Sequence, residues 1–378
     1  MIKVDKKLTE REQADNLINI AGRKVMVTGH TGFKGSWLTL WLSMLKADIT
    51  GIALDPEDRE GAFNAMNISS LCKDIRQDIN NYDKVLSIFR EQKPEIVFHM
   101  AAQPLVLESY QHPLETMQTN VMGTVNILEA CRKTSSVKVI IIVTTDKCYE
   151  NKEWVYGYRE DDRLGGKDPY SASKAAAELV VKSYRESFFP PGKGIGLATV
   201  RAGNVIGGGD WASNRIVPDC IRALQANNPI EVRNPFSVRP WQHVLEPLGA
   251  YLKLAHVMIE NPVKFSGPWN FGPENEGVKN VKDLVNEMIC AWKGGYWVDT
   301  GTGTKNQLHE AGLLTLDISK ARNLLLWQPS YTFCKSVEAT VSWYKSQFIG
   351  ENMAKKGIEQ IEEYRKHSLL EPEEVELI

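Results

Sequence analysis

The sequence predicts an α/β protein, a Rossmann-type doubly wound parallel sheet joined to a smaller, mixed α/β substrate-binding domain. Three observations carry that prediction. Residues 25–38 (VMVTGHTGFKGSWL) read as a short apolar strand, three glycines at three-residue spacing, and the start of a helix. Beyond them, apolar runs alternate with helical segments, and the run VKVIIIV (137–143) has the character of a strand covered on both faces. After Pro190 the elements shorten and are broken by PPGKG, GNVIGGGDW, RNPFSVRPW and SGPWNFGPENEG, the composition of long loops that line a site.

In chain order, residues 1–20 read as a polar N-terminal extension. Strands are predicted over 24–28, 48–54, 96–99, 137–143 and 195–200, and helices over 36–46, 82–91, 114–133 and 170–188. They place a nucleotide-binding domain at 21–202, with a return segment near 237–248, and a substrate domain at 203–345. The charged stretch 346–378 reads as a solvated helix and tail. Gly29, Gly32 and Gly35 let the backbone turn sharply and approach a pyrophosphate, and the helix behind them offers free N–H groups and a favourable dipole. A plain glycine-rich turn is the alternative. Asp55 ends the second predicted strand, about twenty residues after Gly35, where a carboxylate accepts from ribose hydroxyls and repels a 2′-phosphate. That favours NAD over NADP, unless Asp55 is simply a loop residue before Pro56. Asp78 and Ile79 could hold the adenine or merely cap a helix.

Composition removes several classes of function. A chain of 378 residues, 43% hydrophobic and 24% charged, can bury a large core, in two domains or in one large domain with an appendage. A formal net charge of −2 gives no electrostatic case for nucleic acid or an anionic membrane. The six scattered cysteines suit reduced thiols, and the seven dispersed histidines show no metal-ligand spacing, so no metal is expected. No apolar run approaches the ~18 residues of a membrane span. The first 20 residues lack the apolar centre of a signal peptide, so a cytoplasmic location is expected.

Two clusters turn a cofactor site into a reaction. Tyr170 and Lys174 are four apart at the start of an alanine-rich helix and share one face, where an ammonium can stabilise a phenolate. Thr144–Tyr149 (TTDKCY) follows the apolar strand directly, and residues past the carboxyl end of a central parallel strand face the ligand crevice. Thr145 can hydrogen-bond a substrate hydroxyl, Asp146 can donate a proton, and Lys147 is a second proton-transfer or electrostatic group.

The pattern T-G-x-x-G-x-x-G (28–35), the strand-end Thr145 and Tyr170-x-x-x-Lys174 together resemble the extended short-chain dehydrogenase/reductase superfamily. Further blocks narrow this: GHTGFKGSW (29–37), HMAAQPLV (99–106), NVMGT (120–124), TDKCYEN (145–151), DPYSASK (168–174), RAGNVIGGGDW (201–211) and RPWQHVLEPL (239–248). In matching order over roughly 20–345, they resemble the CDP-glucose 4,6-dehydratase family.

The resemblance implies a tightly held NAD and a dehydration of CDP-glucose with no net redox change, serving deoxysugar biosynthesis for surface polysaccharide. It assigns Tyr170 as the base at the C4 hydroxyl, Lys174 as the group that lowers its pKa, Thr145 as the residue positioning that hydroxyl, and Asp146 as the acid for the departing C6 hydroxyl. Lys147 stands where dehydratases of dTDP- and GDP-sugars have the glutamate that takes the C5 proton; it is either a base of depressed pKa or an electrostatic or relay group. The implied cofactor contacts are Gly29, Thr31, Gly32, Phe33, Gly35, Asp55, Asp78, Ile79, Ala101, Ala102, Gln103, Asn120, Tyr170 and Lys174. Asn204, Arg215 and Arg239 are implied at the substrate diphosphate, although Arg215 could equally be an ordinary surface residue. The helices over 114–133 and 170–188 correspond to a pair that forms an intermolecular four-helix bundle in the superfamily, which implies a homodimer, or two such dimers paired into a tetramer. A nucleotide-sugar 4-epimerase or 4-keto reductase on the same scaffold is the first competing reading, and a non-catalytic NAD-sensing protein the second.

Overall fold

The structure, a computed structural model, describes residues 18–190, 192–301 and 312–369. Almost all of the N-terminal extension and the end of the tail lie outside the described residues. Strands β1 (Lys24–Thr28), β2 (Asp48–Ala53), β3 (Lys73–Arg76), β4 (Ile96–His99), β5 (Val139–Val143), β6 (Gly196–Arg201) and β7 (Gly267–Asn270) form one parallel sheet. Their order is β7-β6-β5-β4-β1-β2-β3. The strand order reverses at β1, so a crevice opens between the carboxyl ends of β1 and β4, where such sheets take their ligands.

Helices α1 (Phe33–Met44), α2 (Tyr82–Gln92), α3 (a helical run over 113–132 with a wider, π-type turn at Gln118–Met122) and α4 (Pro169–Ser187) flank the sheet. They are followed by α5 (Ile216–Gln225), α6 (Leu245–Glu260), α7 (Val281–Trp292), α8 (Phe333–Phe348) and α9 (Met353–Leu369). Alternate residues of each central strand feed two separate apolar layers. Val25, Val27, Val139 and Ile141 pack with Trp37, Leu38 and Leu248 on one side. Met26, Ile140 and Ile142 pack with Val85, Phe89, Ile127, Leu128 and Val181 on the other. A strand with both faces buried needs apolar side chains throughout, which is why VIIIV forms β5.

Two strands fall outside the sequence expectation. β3 (KDIR) lies at the sheet edge, half solvated, and needs no apolar run. β7 (GPWN) begins at a glycine of φ 115° and is too short to show a period. Because β7 completes the sheet and α6 packs on β5 and β6, residues 245–270 go with the nucleotide-binding layer. The expected return over 237–248 alone is too short.

The rest of 203–345 supplies short ribbons. Val238–Pro240 runs antiparallel to Val278–Asn280, Gln242–His243 parallel to Val205–Ile206, and Ile230–Val232 parallel to Trp297–Asp299. The C-terminal helix corrects the sequence reading of a solvated element. In α9, Met353, Ile361 and Tyr364 are buried, and Tyr364 Oη donates to Glu246 Oε2 at 2.9 Å while its ring meets Trp41 edge-on. Its charged residues cover only the outer face, so composition hid an amphipathic helix.

Candidate active site

The glycine loop is built for close approach. Gly29 has φ 75°, and a Cβ there would lie 2.7 Å from the Ala101 amide; a Cβ on Gly35 would lie 2.1 Å from the Gly29 carbonyl. Those two glycines close β1 onto α1 and onto the loop after β4. Gly32 differs, because a Cβ there would meet only the Gly29 oxygen at 3.5 Å. It is the N-cap of α1, whose free N–H groups receive no capping side chain and whose first turn has no acidic residue. An open cradle with unspent N–H donors fits the pyrophosphate of a dinucleotide.

The adenosine end follows β2. Thr31 Oγ1 and Arg76 Nη1 both donate to the Leu54 carbonyl, at 3.1 and 3.0 Å, and fix the chain where Asp55 begins. The Asp55 side chain is 89% exposed, with Arg76 Nε 3.7 Å away. Arg76 also pairs with Asp74 at 2.7 Å, and Asp74 bonds the buried His30 Nε2 at 2.8 Å. His30 therefore anchors the loop to β3. Asp78 accepts from the Asn80 amide at 2.8 Å, and the Ile79 side chain packs in the core against α3. Gln103 and Asn120 bind each other: Asn120 Oδ1 accepts from the Gln103 amide at 2.8 Å, and Nδ2 donates to the Gln103 carbonyl and to Ser173 Oγ. Asn120 thus clamps the Ala101–Gln103 loop to α4. His99 is a packed residue, bonded to Thr28 and Thr124 and pushed down to about 3 by burial.

The reacting groups meet at the end of β5. Asp168 caps α4 by accepting from the Ser171 amide at 2.9 Å, with Pro169 in the first turn, so Tyr170 stands at the helix start. Tyr170 hydrogen-bonds Thr145. Thr145 Oγ1 in turn donates to Asp146 Oδ1 at 2.9 Å, and Asn204 Nδ2 donates to Asp146 Oδ2 at 3.3 Å. The fully buried Asp146 carboxylate occupies the space a Cβ on Gly203 would take, 1.8 Å from Oδ2. Lys147 Nζ lies 3.6 Å from Asp146 Oδ1 and is one-third exposed.

Burial pushes the Tyr170 phenol up to about 12, against the Thr145 hydrogen bond that lowers it. Burial also brings Lys174 down to about 8, and its Nζ donates to the Val143 carbonyl at 3.2 Å. Beside burial and the Thr145 hydrogen bond, the charges of Asp146, Arg215 and Asp168 act on Tyr170.

Of the substrate residues, Asn204 joins the catalytic acid, as above. Arg215 pairs with Asp210 at 2.7 Å and acts on Tyr170, so it belongs to the crevice rather than to an ordinary surface. Arg239 is buried in its ribbon and donates to the Val238 carbonyl at 2.8 Å. Lys34 was missed. Burial, then Arg215, brings its ammonium down to about 8, and Asp146, Lys174 and Lys147 also act on it. The signal was available, since a cation in the first turn of a helix opposes the dipole and asks for a reason.

A dinucleotide cradle at a strand-order reversal, facing a Thr–Tyr–Lys set with a buried acid beside it, defines a Rossmann-type protein built for chemistry on a bound small molecule. The family model for GDP-mannose 4,6 dehydratase matches residues 26–267. The CDP-glucose 4,6-dehydratase of Salmonella typhimurium is 48% identical over 88% of this chain and 93% of that protein. A dTDP-glucose 4,6-dehydratase of Xanthomonas campestris pv. campestris is 26% identical over 84% and 92%. Among solved structures, an epimerase from Methanothermobacter thermautotrophicus matches with TM-score 0.76 and 19% identity, over 90% of this chain and 97% of that one. The dTDP-glucose 4,6-dehydratase of Bacillus anthracis, in complex with NAD, matches with TM-score 0.69 and 21% identity, over 88% and 100%. The chain belongs to the GDP-mannose 4,6-dehydratase family.

Among the described residues, no group of three or more His, Cys, Asp or Glu is placed to hold a metal, and no helix is long and apolar enough to cross a membrane.

Proposed function

We propose that the protein is an NAD-dependent CDP-glucose 4,6-dehydratase, converting CDP-glucose to CDP-4-keto-6-deoxyglucose and water. The observation that carries this reading is Asp146, a fully buried carboxylate hydrogen-bonded to the same Thr145 that bonds Tyr170. Epimerisation at C4 needs the Tyr, Lys and Thr but no acid for a leaving hydroxyl. The 48% identity to a protein of that name supports the sugar nucleotide.

Gly29, Thr31, Gly32, Phe33, Gly35, Ala101 and Ala102, with Asp55 at the ribose, would hold NAD, which would supply the hydride acceptor for C4 and the hydride donor for C6. Tyr170 Oη receives the proton of the C4 hydroxyl, which Thr145 orients. Burial holds the phenol up at about 12, and a bound oxidised nicotinamide would supply a positive charge that favours the phenolate. Asp146 gives its proton to the C6 hydroxyl as water departs, and Lys147, 3.6 Å from that carboxyl group, takes the C5 proton or stabilises the charge left when it goes. Arg215 and Arg239, with Asn204, suit a diphosphate, since a guanidinium grips two oxygens at once.

The sugar-nucleotide part comes from residues 203–244 and 271–345. The protein works in the cytoplasm, as a homodimer or a pair of dimers, in making deoxysugars for surface polysaccharide. Exposed Leu114 and Met122 on α3 and Leu179 on α4 support a helix-bundle interface.

The test incubates the protein with CDP-glucose, and separately with dTDP-, UDP- and GDP-sugars, with and without added NAD. Loss of one water from CDP-glucose alone, with no net NADH, is expected. A C4 stereoisomer of unchanged mass would assign an epimerase instead, and no turnover despite bound NAD would leave a sensing role.

A further inference from the structure

Behind the reacting groups lies a second buried cluster that the mechanism does not use. Glu178 stands one turn beyond Lys174 on α4, and Arg201 ends β6; both side chains are 3% exposed. Arg201 grips Glu178 bidentately, Nε to Oε1 at 2.9 Å and Nη2 to Oε2 at 2.8 Å. Thr144 Oγ1 donates to Oε1 at 2.5 Å and Thr199 Oγ1 to Oε2 at 2.8 Å, so both carboxylate oxygens are spoken for. The third Arg201 nitrogen, Nη1, donates to Tyr149 Oη at 2.6 Å and to the Glu160 carbonyl at 2.8 Å. Tyr149 Oη in turn donates to Asn270 Oδ1 at 2.7 Å. Thr144 and Tyr149 bracket the Thr145–Asp146–Lys147 triplet, and Arg201 lies two and three residues ahead of Gly203 and Asn204, which seat Asp146.

We propose that Glu178 and Arg201 are a pair of positioning residues that tie α4, which carries Tyr170 and Lys174, to the loop that carries Thr145, Asp146 and Lys147, with their two charges balanced behind Lys174. A buried ion pair is a poor device for stability alone, because desolvation consumes most of its Coulombic gain. Placed between two catalytic segments, it fixes their relative geometry and sets the local charge.

The groups acting on Lys174 bear this out. From its own helix Glu178 favours the ammonium; Cys148, in the loop after β5, is a thiol held neutral because burial raises it well above its ordinary value. His99, at the end of β4, is neutral, and Lys34 of α1 opposes the charge. At neutral pH Glu178 is thus the anion facing Lys174. Burial disfavours its ionisation, but Arg201, Thr144 and Thr199 outweigh that and hold it below the usual carboxylate range.

The inference rests on the role proposed for Lys174, and its test reads Lys174 itself. Lysine labelled with 13C at Cε reports protonation by its chemical shift, and Lys174→Met assigns the signal. Glu178→Gln leaves Arg201 unbalanced and is expected to lower the Lys174 midpoint by about one pH unit or more. Arg201→Met leaves Glu178 unbalanced and is expected to raise it. The double variant, with neither charge, is expected to return near the parent value. Midpoints that stay put, or that move the same way in both single variants, would overturn the proposal. Where turnover of CDP-glucose is measurable, the alkaline limb of its pH profile is expected to move with the midpoint.

Should the single variants not fold, Tyr149→Phe carries the test, since it keeps the ion pair and removes one hydroxyl. Faster amide exchange across residues 144–149, with an unshifted melting temperature, is expected; unchanged exchange would refute the link to the loop. A protein inactive on every sugar nucleotide, yet showing opposed midpoint shifts, would sink the dehydratase reading and leave this one standing.

Discussion

Gly203→Ala tests whether the seat of Asp146, rather than the mere presence of a carboxylate, makes the acid work. An alanine Cβ at 203 would lie 1.8 Å from Oδ2, 2.1 Å from Cγ and 2.5 Å from Oδ1 of Asp146. Carbon and oxygen do not tolerate less than about 3 Å, so the carboxylate must withdraw by more than about 1 Å. Hydrogen bonds of 2.9 Å to Thr145 and 3.3 Å to Asn204 do not survive such a move. Losing a positioned general acid costs about 10²–10⁴ in rate, roughly 3–5 kcal/mol of barrier. We predict a fall in kcat of that size on CDP-glucose, with KM and dinucleotide affinity nearly unchanged. The glycine is not in a left-handed conformation, so the backbone should tolerate alanine. Steady-state kinetics and fluorescence titration with NADH make the comparison, with thermal melting as the check on folding. Single-turnover analysis should also show a 4-keto sugar that keeps its C6 hydroxyl, because only the elimination is disabled. A variant within threefold of the parent in kcat would refute the placement of Asp146 as the acid.

Other perturbations separate binding from chemistry and stability. Tyr170→Phe, which removes the C4 base and little volume, should lower kcat at least ~10³-fold while NADH titration stays near the parent value. Asp55→Asn should narrow the preference for NAD over NADP by about tenfold in KM, since it removes the carboxylate that repels a 2′-phosphate and leaves Arg76 paired with Asp74 alone. Lys34→Met removes an ammonium that burial and Arg215 have already brought down to about 8. The ligand-free protein should melt higher at pH 7, while KM for the sugar nucleotide or the dinucleotide rises about tenfold. Burial pushes Glu246 up to about 7, above the ~4.3 of an unfolded glutamate, so its contribution is greatest below pH 4 and is lost as pH rises through 7. Glu246→Gln should flatten that slope, gaining on the order of 3 kcal/mol relative to the parent by pH 8, as read by urea unfolding at several pH values.

The legible parts of the fold and site are those where one residue type answers one physical demand. The two-faced burial of β5 demands VIIIV, and the approach of the β4 loop to Gly29 demands the absence of a Cβ. Asp168-Pro169 before Tyr170 announces the start of α4. What escaped has weaker local signatures. β3 is an edge strand written in charged residues, and α9 hides its buried Met353, Ile361 and Tyr364 among Glu and Lys. Asn120 reads as a ligand contact from its motif, yet its amide is spent joining Gln103 to Ser173, a tertiary bond that spans 53 residues. Arg215 could be a diphosphate contact or ordinary surface on sequence alone, because its partner Asp210 and its neighbour Tyr170 meet only in the folded chain.

The charge balance of the crevice argues that it is incomplete without its ligands. Arg215, Lys174 and Lys147 all act on Lys34 across a small space, with Asp210 paired to Arg215 and Asp146 beside Lys147. In a folded chain optimised for stability alone, burial and mutual repulsion would have removed some of these cations. Two diphosphates, one from the dinucleotide and one from a sugar nucleotide, bring about four negative charges to the same place. The excess of cations is therefore the complement of ligands rather than a flaw in packing.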